Sequence, residues 1–213
     1  MAIKMFWRLL WYQYQIIVNK QLLVCLGLLV LLPLMVSFQG IELEQGAMVT
    51  EVYVSLIGLI LVGTVSLPEA DSDFADLLRS QFISLGEIWI LRVFVEMLLT
   101  IFFMSAWVLV LKHFNHQIPV LIFIFGGVSA AFLWGTIGAA VAIISRNTYT
   151  GILVTVVILF YVIFGMDKRL SFYPLGLLIN PNKMQVSTVV TLIGSVCLLF
   201  GALVYNYCRE LNR

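Results

Sequence analysis

Residues 67–97 read LPEADSDFADLLRSQFISLGEIWILRVFVEM, the longest polar interruption in an otherwise lipid-like chain. Four of the eleven acidic residues fall within eight positions here: Glu69, Asp71, Asp73 and Asp76. Pro68 ends the apolar run before them, and an amphipathic segment carrying Arg79 follows. Glu87, Arg92 and Glu96 then lead into the next apolar run. A patterned segment of this kind between two membrane spans is suited to contact a cytoplasmic partner.

The rest of the chain sets that segment in a membrane. Of 213 residues, 62% are hydrophobic and 11% charged, against roughly a quarter charged in soluble domains. The mean hydropathy is +1.07. A spanning helix takes about 20 mainly apolar residues, so the length accommodates about six spans with short connections. The net charge of +1 and the lack of a basic stripe exclude a nucleic-acid footprint. Cys25, Cys197 and Cys208 lie in or beside apolar runs and read as small hydrophobes rather than a disulfide or metal set.

Working outward, the sequence predicts one all-α polytopic transmembrane domain over 1–213. Residues 1–20 combine Lys4, Arg8 and Lys20 with Phe6, Trp7, Trp11, Tyr12 and Tyr14, the pattern of an amphipathic interfacial helix. A signal peptide is the rival reading; the long ring-rich lead-in and the lack of an A-x-A-like site favour a retained helix. Spans are expected at 21–38 (kinked at Pro33), 50–67, 88–111, 119–144, 149–165 and 186–207. The connection 68–87 is cytoplasmic, and SRNT at 145–148 makes a tight turn. Residues 166–185 form an outer segment. Its centre, LSFYPLGLLI, is too short to cross and too apolar for water, which predicts a re-entrant hairpin broken at Pro174 and Pro181.

Cations orient the chain. With the N-terminus inside, the inner side holds Lys4, Arg8, Lys20, Arg79, Arg92, Arg146, Arg209 and Arg213, and the outer side Lys112, Lys168, Arg169 and Lys183. The excess places both termini in the cytoplasm of a plasma membrane. In the fourth span Gly127, Ala131, Gly135 and Ala139 recur every four residues, a small-residue row on one helix face. It serves either packing within the chain or a contact between subunits; the sequence fits both. Arg92 and Glu96 are four apart and share a face, with Glu96 a turn deeper and in need of a partner, which predicts an intramembrane pair.

Several chemistries are missing. No G-x-x-x-x-G-K-[ST] is present, so the chain is not itself a P-loop ATPase. There is no H-E-x-x-H; His113 and His116 lie in an expected outer loop and would need borrowed ligands to hold a metal. The acidic loop 69–76 has an enzymatic reading: Asp71, Asp73 and Asp76 could hold Mg²⁺ for a lipid-phosphate transferase. No second acidic motif supports it, and acids after Pro68 are also favoured simply by a helix N-terminus, at about 0.3–1 kcal/mol each. A third reading is a non-transporting membrane anchor or sensor.

The segment also resembles the permeases of type-2 ABC exporters. The residues that carry the resemblance are Glu69, Leu77, Leu78, Ser80, Ile83, Ser84, Glu87, Ile88 and Arg92, in the pattern LL-x-S-x-x-I-S-x-x-E-I followed by a cation entering the third span. The layout is similar too, although the family's usual glycine near the start of the cytoplasmic helix is replaced by extra aspartates. The resemblance implies a bacterial export subunit that is not an enzyme and holds no cofactor, with ATP and Mg²⁺ on a partner ABC ATPase. It implies a second permease subunit, the same chain or a close paralogue, and an amphipathic or hydrophobic cargo. ATPase coupling would fall to Glu69, Asp73, Asp76, Leu77, Leu78, Arg79, Ser84 and Glu87. Pathway-lining residues would come from the second and fifth spans: Tyr53, Ser55, Thr64, Thr155 and Tyr161.

Overall fold

The computed structural model describes residues 21–35, 41–64, 85–167 and 173–211. The expected interfacial helix 1–20 and the coupling residues Glu69, Asp73, Asp76, Leu77, Leu78, Arg79 and Ser84 lie outside them. In chain order the helices are α1 (Gln21–Met35), α2 (Leu43–Thr64), α3 (Leu85–Phe114), α4 (Val120–Ser145), α5 (Thr148–Phe164), the one-turn α6 (Gly176–Ile179) and α7 (Val186–Leu211). No strand occurs among the described residues.

Four of these helices are long and apolar enough to cross a membrane: Leu43–Thr64, Leu91–Phe114, Val120–Ser145 and Val186–Tyr205. Two apolar helices, Gln21–Leu32 and Thr148–Phe164, are shorter. The protein is therefore an all-helical membrane protein. Outward faces of α5 and α7 carry exposed Leu153, Val157, Phe160, Val186, Ile193 and Phe200, as lipid contact requires.

α4 is the central helix and packs against α2, α3, α5 and α7. It can because its inward positions are small. A Cβ on Gly58 of α2 would stand 2.0 Å from the Ala131 carbonyl oxygen, and one on Gly135 would stand 2.6 Å from the Gly58 carbonyl oxygen. Gly127 faces Thr50 and Met104, and Ala139 is buried with Val93 and Leu199. The small-residue row thus seats α2, α3 and α7 of the same chain, which settles its two readings in favour of internal packing.

α3 starts at Leu85 rather than 88 and α7 runs to Leu211 rather than 207; two further boundaries differ from the hydropathy reading for tertiary reasons. α2 begins at Leu43 rather than Thr50: Gly46 and Ala47 are buried, Gly46 faces Phe123 and Ile118, and Glu42 and Glu44 stay exposed. The Asn115 amide donates to the Ile41 carbonyl (2.9 Å), tying the start of α2 to the α3–α4 turn. α3 likewise runs on to Phe114, because Lys112 in its last turn donates to the carbonyls of His116 and Ile118. The SRNT turn is as tight as expected. Arg146 takes a left-handed conformation (φ 56°) to stop α4, and the Asn147 side chain caps α5 by accepting from the Tyr149 and Thr150 amides.

Candidate functional site

α2 is not uniform. Over Val49–Val54 it widens into a π-helical turn, in which the Ser55 amide donates to the Thr50 carbonyl, five residues back. Such turns are uncommon and recur at functional sites. Hydroxyls on the widened stretch bind locally: Thr50 donates to the Gly46 carbonyl (2.8 Å) and accepts from the Trp107 indole (3.2 Å), and Ser55 donates to the Glu51 carbonyl. Tyr53 points its ring outward and is exposed, whereas the carboxyl group of Glu51 on the same stretch is 0% exposed.

That carboxylate reaches the apolar segment between α5 and α7. The Leu177 amide donates to Oε1 (2.9 Å) and the Leu178 amide to Oε2 (3.0 Å). Both amides belong to the single turn of α6, whose first N–H groups have no helical partner of their own. Tyr173, Leu175 and Leu177 are buried, and Asn180 closes the turn by donating to the Gly176 carbonyl (3.2 Å). Two glycines make room. A Cβ on Gly126 of α4 would stand 2.5 Å from Leu177, and one on Gly176 would stand 2.3 Å from the Thr188 hydroxyl of α7. The described part of LSFYPLGLLI is thus folded against α2, α4 and α7.

Buried polar groups gather around this seat. Tyr173 is 0% exposed and its hydroxyl has no hydrogen-bond partner among the described residues; the same holds for the Trp134 indole N–H and the Ser187 hydroxyl. Trp134 and Tyr173 share one apolar cluster with Val52, Leu59 and Leu175.

The other named residues fall elsewhere. Ser55, Thr64 and Thr155 are buried, and each hydroxyl is bound to a carbonyl of its own helix; for Thr155 this is the Gly151 carbonyl at 2.8 Å. Tyr53 and Tyr161 are exposed, at 40% and 65%. Thr64 and the Gln21 amide are 2.5 Å apart at the rim of an apolar cleft of about 250 Å³, lined also by Val24, Leu59, Ile60 and Ile152. Arg92 and Glu96 are both buried, at 1% and 0%, one turn apart on α3. Glu87 lies in the first turn of α3. No group of three His, Cys, Asp or Glu with metal-binding proximity occurs among the described residues.

Sequence reading did not single out Glu51, because it sits one position inside the expected start of its span, where a charge reads as headgroup-level. A signal was nevertheless present: an apolar hairpin with proline breaks leaves amide groups that need an acceptor. Chemically, the arrangement is a polar clamp on a one-turn helix, enclosed by α2, α4 and α7 and bordered by buried hydrogen-bonding groups with no partner among the described residues. No family model, curated protein or solved structure matches the chain.

Proposed function

We propose that the chain is the six-span membrane subunit of an ATP-driven exporter of the type-2 ABC kind. In this reading α1 and α5 count as spans beside the four longer helices, both termini are cytoplasmic, and the membrane is bacterial. The subunit is not an enzyme and works as a pair with a second permease subunit. A cytoplasmic ATPase holding ATP and Mg²⁺ docks on residues 68–87. ATP binding drives the pair between inward- and outward-facing states, which requires that it favour one of them; equal affinity for both would move nothing.

The observation that carries the reading is the re-entrant turn seated on Glu51. Non-helical backbone at membrane depth is tolerated only where protein or a water-filled cavity satisfies it. An ionisable group placed there is expensive, and such groups commonly mark a pathway. A simple anchor has no need of either. The resemblance of residues 69–92 to the coupling region of exporter permeases, and the excess of cations on that side, support the same reading.

Affinity capture of the tagged chain from its native membrane tests it, with stoichiometric recovery of an ABC ATPase as the expected result. Reversing the charge at Asp76 or Arg79 should weaken that recovery while leaving the bundle folded, since surface changes typically alter stability by within about 0.5 kcal/mol. Unchanged recovery and transport in both reversed variants would remove the docking assignment. A Mg²⁺-dependent lipid-phosphate reaction by the chain alone would replace the exporter reading with the transferase.

A further inference from the structure

α1 packs mainly against α2, with Cys25 and Leu32 buried in the core. Between α1, α2 and α5 lies the apolar cleft of about 250 Å³, lined by Gln21, Val24, Leu59, Ile60, Thr64 and Ile152. Its two polar side chains spend their donors within the wall. The Gln21 amide donates to the Thr64 hydroxyl (2.5 Å), and that hydroxyl donates to the Ile60 carbonyl (2.6 Å). The rest of the lining is hydrocarbon. Val24 lines the cleft and is also 55% exposed, so the cleft opens on the lipid-facing surface, beside the exposed Leu23 and Leu153.

We propose that this cleft seats one acyl chain of an anionic phospholipid, drawn from the leaflet on the Arg146 side, and that the chain bridges α1 to α5. The site goes beyond the exporter reading and does not depend on it. Water finds no set of polar partners in such a cleft, and an empty one forfeits the dispersion contacts of its walls. The space is larger than the apolar cavity of about 150 Å³ that takes up benzene. In a bilayer the molecules that reach its opening are acyl chains. Depth and charge select the lipid. Ile152 is the fifth residue of α5, about 6 Å inside the start of that helix. Arg146 ends α4 two residues before the same start and is exposed. A cation thus stands at headgroup level, a turn or two outward of a slot that fits the upper part of a chain. Arginine is well suited to a phosphate, which it can bind through two parallel N–H groups. An occupied cleft gives α1 a second apolar wall, so lipid binding and the seating of α1 support each other.

Photocrosslinking of the full chain in phosphatidylcholine nanodiscs tests this. The probe is phosphatidylglycerol carrying a diazirine midway along one acyl chain, with adducts mapped by tandem mass spectrometry. Adducts should concentrate at Val24, Ile60 and Ile152, at least fivefold over the exposed positions Val157, Ile193 and Phe200. The same diazirine on phosphatidylcholine should label the cleft at least fivefold less. Arg146→Asn, which tolerates the left-handed turn, should remove that preference. Val24→Trp and Ile152→Trp fill the cleft and should abolish its adducts, whereas the outward Leu153→Trp should leave them. Even labelling over all exposed faces marks ordinary surrounding lipid and overturns the proposal. So does an absence of adducts in the cleft, as when another segment of the chain or a second copy covers it. Adducts that persist in both filled variants, or equal labelling by the phosphatidylcholine probe, also overturn it. Should one filled variant fail to fold, the other decides, together with the adduct distribution on the native chain. The mapping needs no ATPase, so failure of the exporter reading leaves its result unchanged.

Discussion

The Glu51 carboxylate and the Leu177 amide are 126 residues apart in sequence and 2.9 Å apart in space. With the Leu178 amide alongside, this contact fastens α6 to α2. A hydrogen bond to a charged group contributes about 1.5–3 kcal/mol. Glu51→Ala removes both acceptors and should speed amide exchange at 177 and 178 by about 10- to 100-fold. Exchange in α4 should stay as slow as in the native chain. Equal exchange in native and variant chains would show that apolar packing alone seats the turn.

The same substitution should have opposite effects at two glycines. Gly58→Ala drives a methyl to 2.0 Å from the Ala131 carbonyl oxygen, which is backbone and cannot yield without separating α2 from α4. Gly194→Ala meets nothing within 4 Å. The first should lower thermal stability by about 1–3 kcal/mol, as overpacking does. The second should be neutral or stabilising by up to about 1 kcal/mol, from helix propensity. Thermal unfolding in detergent ranks the two, and equal melting would contradict the close crossing of α2 and α4.

Arg92 and Glu96, buried a turn apart on α3, are expected to be energetically coupled. Arg92→Leu alone leaves a buried acid uncompensated, a change on the order of 3–5 kcal/mol. Replacing both with apolar residues should cost less than replacing Arg92 alone. A double-mutant cycle on thermal stability measures the coupling, and additivity within about 0.5 kcal/mol would sink it.

The ends of the bundle give a topology prediction. The Asn115–Ile41 hydrogen bond puts the α3–α4 turn and the start of α2 at one end. Arg146 lies at the far end of the 26-residue α4, about 39 Å away along the helix axis. Glu44, His113 and Arg146 are all exposed. In a chain lacking Cys25, Cys197 and Cys208, single cysteines at 44 and 113 should react with an impermeant reagent from outside, and one at 146 only from within. Opposite sidedness of 44 and 113 would break the arrangement of α2 and α3.

The sequence by itself determined that this is a helical membrane protein, because hydropathy and span length depend only on composition along the chain. It also determined the tight turn at Arg146 and Asn147, where left-handed backbone and an Asn cap are local properties. That the apolar stretch within 166–185 does not form a long helix was legible too, from its two prolines, and among its described residues only the one-turn α6 is helical. The early start of α2 was not, because Gly46 and Ala47 are buried there, Gly46 against Phe123 and Ile118, far along the chain. Nor was the partner of the row at Gly127, Ala131, Gly135 and Ala139: spacing places small residues on one face, and only the assembled bundle says which backbone comes to meet it. Glu51 is the clearest case. A lone acid near a span boundary has no local signature of function, and the acceptor that the α6 amides require lies 126 residues away. Hydrogen-bond satisfaction in an apolar medium couples the two, and that coupling exists only once the chain has folded.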